Sequence, residues 1–209
     1  MSALVAIMAA GESRRMGTPK LCLPWKGSSV LGHLLAQWRE AGAEKIVVVH
    51  AGAGSPVAVE LERLGVSPEM QAVTIAPERE MMGSVATAAR LAAKEGALTH
   101  LIIALGDQPH LRVETLRDLL LACEIAPGKI VRAVHGGAPG HPIALPSSLL
   151  AELGETSCAT LREFLGLIKS PVLDLTCDDS GVLMDIDTPD DYARAVRGGD
   201  CMPNTTPSF

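Results

Sequence analysis

Short, uninterrupted apolar runs recur along this chain, each ending at a glycine or a polar loop, with amphipathic segments between them. Leu4 to Ala10 stops at Gly11, Lys45 to His50 contains a β-branched stretch, and Leu101 to Leu105 stops at Gly106. Strands that are buried on both faces of a parallel sheet have this pattern. Because strands alternating with helices build doubly wound sheets, we expect an α/β fold with one mainly parallel sheet.

Apolar periodicity and capping residues predict the other elements. Leu31, Leu34, Leu35 and Trp38 recur at helical spacing behind a pair of serines, which predicts a helix ending at Gly42. Further helices are predicted from Ser55-Pro56, over Gly83 to Lys94, around Leu116 to Cys123, and from Thr188-Pro189 to about Arg197. Further strands are predicted at Val73 to Ala76, Ile130 to Val134, Pro142 to Leu145, Val172 to Leu175 and Val182 to Met184.

The length of the chain fits one domain. It has 209 residues, 47% of them hydrophobic, which suffices to bury a continuous sheet but not two full domains. With two Phe, two Trp and one Tyr, the core must be built from aliphatic residues. We expect residues 1–197 to form the domain and residues 198–209 to be a flexible tail.

Charge and cysteine usage narrow the class of protein. A formal net charge of −6 disfavours binding to nucleic acid and to anionic membranes. The five cysteines contain no CxxC pair, as expected for reduced thiols and not for zinc or disulfides. No signal peptide is evident, and no apolar run reaches the roughly 20 residues of a membrane span. We therefore expect a cytoplasmic protein.

The loop after the first strand has the composition of a polyphosphate site. It reads AAGESRRMGTPK over residues 9–20, so two glycines and three cations follow a buried strand directly. Gly11 and Gly17 allow the backbone to approach a ligand, while Arg14, Arg15 and Lys20 can neutralise phosphate oxygens. The alternative is an ordinary turn with solvated charges. The loop matches neither GxGxxG nor GxxxxGK[ST], which argues against a Rossmann-type oxidoreductase.

Two distant acidic segments are candidates for a metal site. Asp107 directly follows the strand ending at Leu105, and Asp185 and Asp187 precede the last predicted helix. Mg²⁺ bound to a triphosphate prefers carboxylate ligands and retains several waters, which Asp107 and Asp187 would suit if the fold brings them together. The alternatives are a turn-forming Gly-Asp and acids that complement a helix dipole.

These segments carry a family resemblance. Residues 9–25 resemble the signature AAGxSxRMGxxKxxLPW of the MobA-like nucleotidyltransferases, and particularly of the molybdenum cofactor cytidylyltransferases. The resemblance continues in the same order through Met82-Gly83-Ser84, Gly106-Asp107-Gln108-Pro109, Gly140-His141-Pro142-Ile143 and the stretch DIDTPDDY at 185–192. It implies a single-domain, Rossmann-like fold of the nucleotide-diphospho-sugar transferase type.

The resemblance also implies a reaction and its partners. Related guanylyltransferases read LAGG at the first loop, whereas this chain reads Met8-Ala9-Ala10-Gly11, which favours CTP. The implied reaction is Mg²⁺-dependent transfer of CMP to the terminal phosphate of a molybdenum-loaded pterin, releasing pyrophosphate. A molybdenum hydroxylase or its maturation chaperone would receive the product. Guanylyl or cytidylyl transfer to another phosphorylated acceptor, and a noncatalytic nucleotide-binding regulator, remain alternatives.

Residue roles follow from the same resemblance. Arg15, Lys20 and Asp107 are expected to be catalytic, and Asp107 and Asp187 to hold the metal. Gly140 and His141 are expected to contact the acceptor, although a histidine between Gly and Pro also suits a structural role. The nucleotide would be lined by Ala9, Ala10, Gly11, Arg15, Lys20, Asp107 and Ser84, the last in a Met82-Gly83-Ser84 turn. Many relatives have Gly-Asp-x-Gly-Ala-Arg where this chain has GETSCATLR at 154–162, which leaves the acceptor open.

Overall fold

The computed structural model describes residues 2–75, 78 and 80–198. The strands are β1 (Ser2–Met8), β2 (Pro24–Trp25), β3 (Ser28–Ser29), β4 (Lys45–His50), β5 (Gln71–Val73), β6 (Leu98–Leu105), β7 (Ile130–His135), β8 (Ala138–Pro146) and β9 (Val172–Thr176). The helices are α1 (Val30–Ala41), α2 (Pro56–Arg63), α3 (Glu80–Ala92), α4 (Val113–Ile125), α5 (Leu150–Glu155), α6 (Leu161–Leu167) and α7 (Pro189–Gly198).

Seven of these strands form one sheet in the order β5-β4-β1-β6-β8-β7-β9. The pairs β5/β4, β4/β1, β1/β6 and β7/β9 are parallel, whereas β8 is antiparallel to both of its neighbours. Strands β2 and β3 form a small separate hairpin. The expected single-domain, mainly parallel α/β sheet is therefore confirmed.

Successive residues of β1 face opposite layers, as the side-chain period of a strand requires. Val5 and Ile7 belong to the core layer beneath α1, α2 and α4, while Leu4, Ala6 and Met8 belong to the layer beneath α3, α5 and α6. The residues that α3 buries in this second layer include the small side chains of Ala88, Ala89 and Ala92. This two-sided burial explains why the strands read as unbroken apolar runs.

Most predicted elements have the expected type. Helix α1 begins after Ser29, whose hydroxyl accepts the Gly32 N–H at 3.0 Å, and it ends at Gly42 with φ 104°. Strand β4 has the predicted bounds, and α7 begins after Thr188 as predicted. The third strand lies earlier than predicted, at Gln71–Val73, and Ala76 lies outside the described residues.

Two predictions are wrong. Val182 to Met184 is not a strand, because Asp179 Oδ1 accepts the Gly181 N–H at 3.0 Å and turns the chain into a 3₁₀ helix over Ser180–Leu183. Ser84 does not lie in a turn, since Met82-Gly83-Ser84 falls inside α3, which begins earlier than predicted.

Helices α5 and α6 and the β2–β3 hairpin were not predicted. No helix within residues 2–75 and 80–198 is long and apolar enough to cross a membrane. Of the expected tail, positions 199–209 lie outside the described residues.

Candidate active site

The first loop and the Asp107 loop start side by side. Strands β1 and β6 are parallel neighbours whose last residues, Met8 and Leu105, are in register. The N–H of Gly106 donates to the Met8 carbonyl at 3.2 Å, and a Cβ at position 106 would lie 2.6 Å from that oxygen. Only glycine therefore permits this approach of the two backbones, which brings both loops to one edge of the sheet.

The first loop is folded by its own backbone. Ser13 and Gly17 both adopt left-handed conformations, with φ 53° and 66°, and enclose a single 3₁₀ turn over Arg14–Met16. The Ser13 hydroxyl accepts the Lys20 N–H at 3.2 Å, and the Met16 side chain is buried in the core. This anchoring leaves the side chains of Arg14 and Arg15 largely exposed, at 84% and 71%.

The Lys20 ammonium connects the two acidic segments. Its Nζ lies 2.6 Å from Asp107 Oδ2, 3.3 Å from Asp187 Oδ1 and 3.1 Å from the Ile186 carbonyl oxygen. Arg15 Nη2 lies 2.9 Å from the other oxygen of Asp187. The structure thus brings Arg15, Lys20, Asp107 and Asp187 together, although 167 positions separate Lys20 from Asp187.

Asp185 is a third carboxylate at this place. Its Oδ1 accepts from Gln108 Nε2 at 3.1 Å, and Gln108 is buried. Burial raises the pKa of the Asp185 carboxyl, and the negative charge of Asp107 raises that pKa further. Asp185 and Asp107 therefore lie close enough to interact electrostatically.

His141 lies close enough to the same acids for their charges to affect its imidazole. Burial lowers the pKa of its imidazole, while a backbone hydrogen bond with Ile103 and the charges of Asp185 and Asp107 oppose that shift. Its Nδ1 is buried and has no hydrogen-bond partner among the described residues. Next to it, a Cβ on Gly140 would lie 2.0 Å from the Val182 carbonyl oxygen. Gly140 therefore permits close contact between β8 and the segment that leads to the acids.

The predicted nucleotide-lining residues occupy different environments. Ala9 is buried and donates its N–H to Val49 at 2.8 Å, so that amide is committed to the fold. Gly11 is exposed, and space around it is open. Ser84 is only 2% exposed, packed within α3. Gly11 therefore has open space beside it in which a ligand could lie, whereas Ser84 does not.

Sequence reasoning missed three parts of this site. These are the Ser13 hydroxyl and the Ile186 carbonyl, which accept from the backbone N–H and the Nζ of Lys20, and the Gln108 amide, which donates to Asp185. Gln108 is adjacent to Asp107, which was the available signal for it. Every residue has a backbone carbonyl, so the sequence could not indicate that the carbonyl of Ile186 contacts Lys20.

The donor set suits a hard divalent cation. Asp107 Oδ1 is buried and has no hydrogen-bond partner among the described residues, and Asp187 offers carboxylate oxygens nearby. Mg²⁺ and Mn²⁺ accept such oxygen ligands. Across the described residues there is no group of three or more His, Cys, Asp or Glu side chains arranged as a metal centre, so phosphates and water would complete the coordination.

A cationic loop and an aspartate at the carboxyl ends of the adjacent parallel strands β1 and β6, joined by a second aspartate from the segment before α7, define a nucleotide-dependent transferase of the α/β class. The MobA-like NTP transferase domain family matches residues 5–171, and the chain belongs to that family. It is accordingly a nucleotidyltransferase.

The proteins to which this chain is similar have names that point to more than one metabolic role. The molybdenum cofactor cytidylyltransferase of Escherichia coli K12 is 25% identical, over 93% of this chain and 96% of its own length. The purine catabolism protein PucB of Bacillus subtilis is 31% identical, over 91% of this chain and 94% of its own length. The bifunctional protein GlmU of Azorhizobium caulinodans is 38% identical over 68% of this chain, which spans only 30% of that relative.

Solved structures have the same architecture. Rv0371c from Mycobacterium tuberculosis superimposes with a TM-score of 0.76 and 28% identity, covering 94% of this chain and 99% of that one. A structure of that mycobacterial protein in complex with manganese has a TM-score of 0.69 and 24% identity over the same shares.

Proposed function

We propose that the protein transfers CMP from CTP to the terminal phosphate of molybdenum-loaded molybdopterin, giving molybdopterin cytosine dinucleotide and pyrophosphate. The observation that carries this proposal is the Lys20 ammonium within hydrogen-bonding distance of both Asp107 and Asp187, beside the exposed Arg15. The match to the cytidylyltransferase of E. coli over nearly both full lengths supports the choice of nucleotide and acceptor.

The proposed chemistry is a single displacement. An oxygen of the acceptor phosphate forms a bond to the α-phosphorus of CTP, the bond from that phosphorus to the bridging oxygen breaks, and pyrophosphate leaves with the electron pair. No covalent enzyme intermediate is needed. Such reactions depend mainly on alignment and on neutralising negative charge. Arg15 and Lys20 would supply that neutralisation to the triphosphate.

Asp107 and Asp187 are the proposed holders of Mg²⁺. When bound, the cation would neutralise charge on the phosphate oxygens and orient them. The buried Oδ1 of Asp107, which has no hydrogen-bond partner among the described residues, supports this role, because such an oxygen loses hydration without gaining a partner. The manganese complex of the mycobacterial relative supports a divalent cation of this kind.

The remaining roles are proposed on the same frame. Ala9, Ala10 and Gly11 would line the nucleotide, with Gly11 offering the open approach. Ser84 would contribute only through the packing of α3, since it is buried there. Gly140 and His141 would adjoin the acceptor, because His141 lies near Asp107 and Asp185. We also propose a cytoplasmic location and delivery of the product to a molybdenum hydroxylase or its chaperone.

A different acceptor is the main alternative. The similarity to PucB over 91% of the chain favours a nucleotidyltransferase that serves purine catabolism. One experiment separates the possibilities. The protein is incubated with Mg²⁺, molybdopterin and each nucleoside triphosphate in turn, the dinucleotide is identified by mass, and pyrophosphate is measured.

Cytosine dinucleotide with stoichiometric pyrophosphate supports the proposal. A guanine product would reassign the base. If the protein binds CTP but releases no pyrophosphate, although the molybdopterin supplied is of confirmed activity, the protein is a noncatalytic regulator.

A further inference from the structure

The Lys20 ammonium has no free donor. A protonated amine carries three N–H groups, and Nζ of Lys20 has three acceptors at 2.6, 3.1 and 3.3 Å, on Asp107, Ile186 and Asp187. The Lys20 side chain is 17% exposed, so water has little access to it. In this arrangement Lys20 cannot also donate to a phosphate.

The same ammonium competes with a metal for ligands. Asp107 Oδ2 and Asp187 Oδ1, which contact Nζ, belong to the two carboxylates proposed to hold Mg²⁺. A divalent cation placed between these carboxylates would lie within a few ångströms of the ammonium, and like charges at such a distance repel strongly in a partly buried site. Lys20 and the metal therefore exclude each other from this position.

The surrounding backbone lets the ammonium move without refolding. Leu21, the next residue, is buried in the core and fixes the 3₁₀ turn over Lys20–Cys22. The four-carbon stem of lysine is flexible. A change of side-chain rotamer can therefore carry Nζ away from the carboxylates while the loop stays in place.

We propose that the Lys20 ammonium occupies the metal position in the absence of nucleotide and moves to the phosphates when a triphosphate binds. Metal and nucleotide then bind cooperatively. The inference rests on the proposed metal site and adds that the nucleotide must bind before the metal can bind tightly. Without nucleotide the enzyme binds free divalent cations weakly, since each must displace an ion pair. A triphosphate gives the ammonium new acceptors, and the freed carboxylates then take the metal.

The test is direct Mn²⁺ binding, followed by the electron paramagnetic resonance signal of the free ion, with and without CTP. Lys20→Met removes the charge at similar length. We expect it to bind Mn²⁺ about ten-fold or more tightly than wild type when CTP is absent, and to lose most of the gain in affinity that CTP brings. Lys20→Gln should behave in the same way, which guards against a folding defect in one variant.

Two matched controls separate displacement from general electrostatics. Arg15→Met removes a cation that contacts Asp187 but not Asp107, and it should tighten Mn²⁺ binding much less than Lys20→Met. Lys94→Met removes an exposed lysine on the surface and should leave Mn²⁺ affinity unchanged. Equal effects of Lys20→Met and Arg15→Met, or no tightening with Lys20→Met, would overturn the inference.

A different set of results would contradict the proposed metal site. In the Lys20→Met background, Asp107→Asn should weaken Mn²⁺ binding again if the carboxylate is a ligand. If Asp107→Asn, introduced into the wild-type protein, leaves Mn²⁺ affinity unchanged in the presence of CTP, the proposed metal site is wrong. Loss of binding with Asp107→Asn, but no tightening with Lys20→Met, contradicts only the displacement by Lys20.

Discussion

The backbone N–H of Ile186 donates to the carbonyl oxygen of Asp107 at 3.1 Å. The Ile186 side chain is 3% exposed and packed in the core beneath α1 and α4. Asp185 and Asp187, on either side of this buried residue, accept from Gln108 Nε2 and Lys20 Nζ respectively, so both face the Asp107 loop. One buried isoleucine thereby sets the register of the acidic cluster.

Asp107→Asn should abolish most turnover while preserving the fold. The change keeps the size of the side chain but removes the charge that faces Lys20 at 2.6 Å and that is proposed to bind the metal. We expect a fall of ~100-fold or more in the rate of pyrophosphate release at saturating CTP and limiting Mg²⁺. Asp118→Asn, at an exposed position on α4, is the control and should retain wild-type turnover. Wild-type rates with Asp107→Asn would remove the carboxylate from the mechanism.

Gly140→Ala should destabilise the protein and disturb the site together. The added Cβ would lie 2.0 Å from the carbonyl oxygen and 2.7 Å from the carbonyl carbon of Val182, so backbone must shift. We expect a loss of about 1–3 kcal/mol in the free energy of unfolding, measured by urea denaturation, and a raised KM for the substrates. Gly128→Ala, with open space around its Cβ, should change stability by less than about 1 kcal/mol. Equal stabilities of the two variants would show that the contact relaxes freely.

The sequence predicts well those elements whose signals are local. Ser29 and Gly42 bound α1 as their capping preferences require, and Thr188 begins α7 with its hydroxyl accepting the Asp191 N–H at 3.2 Å. The apolar runs of β1, β4 and β6 could be recognised because both faces of the central sheet are buried. These features depend on a few neighbouring residues.

Elements that depend on distant contacts could not be predicted in the same way. Val182 is apolar and resembles a strand residue, yet Asp179 turns its segment through hydrogen bonds to Gly181, Arg112 and Thr115. The meeting of Lys20 with Asp187 depends on the segment after the edge strand β9, which returns to the Asp107 loop and bonds to it through Ile186, and no local pattern specifies that path. The positions of the two acids, one after a buried strand and one before a helix, supplied the pairing of Asp107 with Asp187 as a hypothesis, and the contacts of Lys20 supply its geometry.

Protein stability should fall in mild acid because of His100. This residue is fully buried in β6, one ring nitrogen lies 2.8 Å from the Lys129 carbonyl oxygen, and burial lowers the pKa of the imidazole below 6.5. The unfolded chain therefore takes up a proton first as the pH falls. Stability that is fully present above about pH 6.5 is lost as the pH drops toward the lowered pKa of the folded state.

His100→Gln should reduce that dependence on pH. The amide can still donate to the Lys129 carbonyl oxygen but does not titrate. In urea titrations below about pH 6.5, the variant should lose up to about 1.4 kcal/mol per pH unit less than wild type. Above that range the two curves should run parallel. Identical slopes in acid would mean that other buried histidines, such as His50, account for the effect.

Asp179→Ala should be strongly destabilising, because Asp179 joins the start of α4 to the segment after β9. The N–H of Arg112, the residue before α4, donates to Asp179 Oδ2 at 2.9 Å. Asp179 is 4% exposed and also accepts from Thr115 and Gly181, so its loss leaves several buried donors unpaired. We expect a cost of about 2–4 kcal/mol in the free energy of unfolding, from hydrogen bonds to a charged group.

The neighbouring Asp178 provides the matched control for this change. Asp178 is exposed, so Asp178→Ala should alter stability by less than about 0.5 kcal/mol under the same urea denaturation. Asp179→Asn should fall between the two, since one side-chain oxygen remains to accept. Because the segment after Asp179 leads to Asp185 and Asp187, Asp179→Asn should also weaken Mn²⁺ binding in the presence of CTP. A destabilised Asp179→Asn enzyme with unchanged Mn²⁺ affinity would show that the acids are held by Ile186 and Asp107 alone.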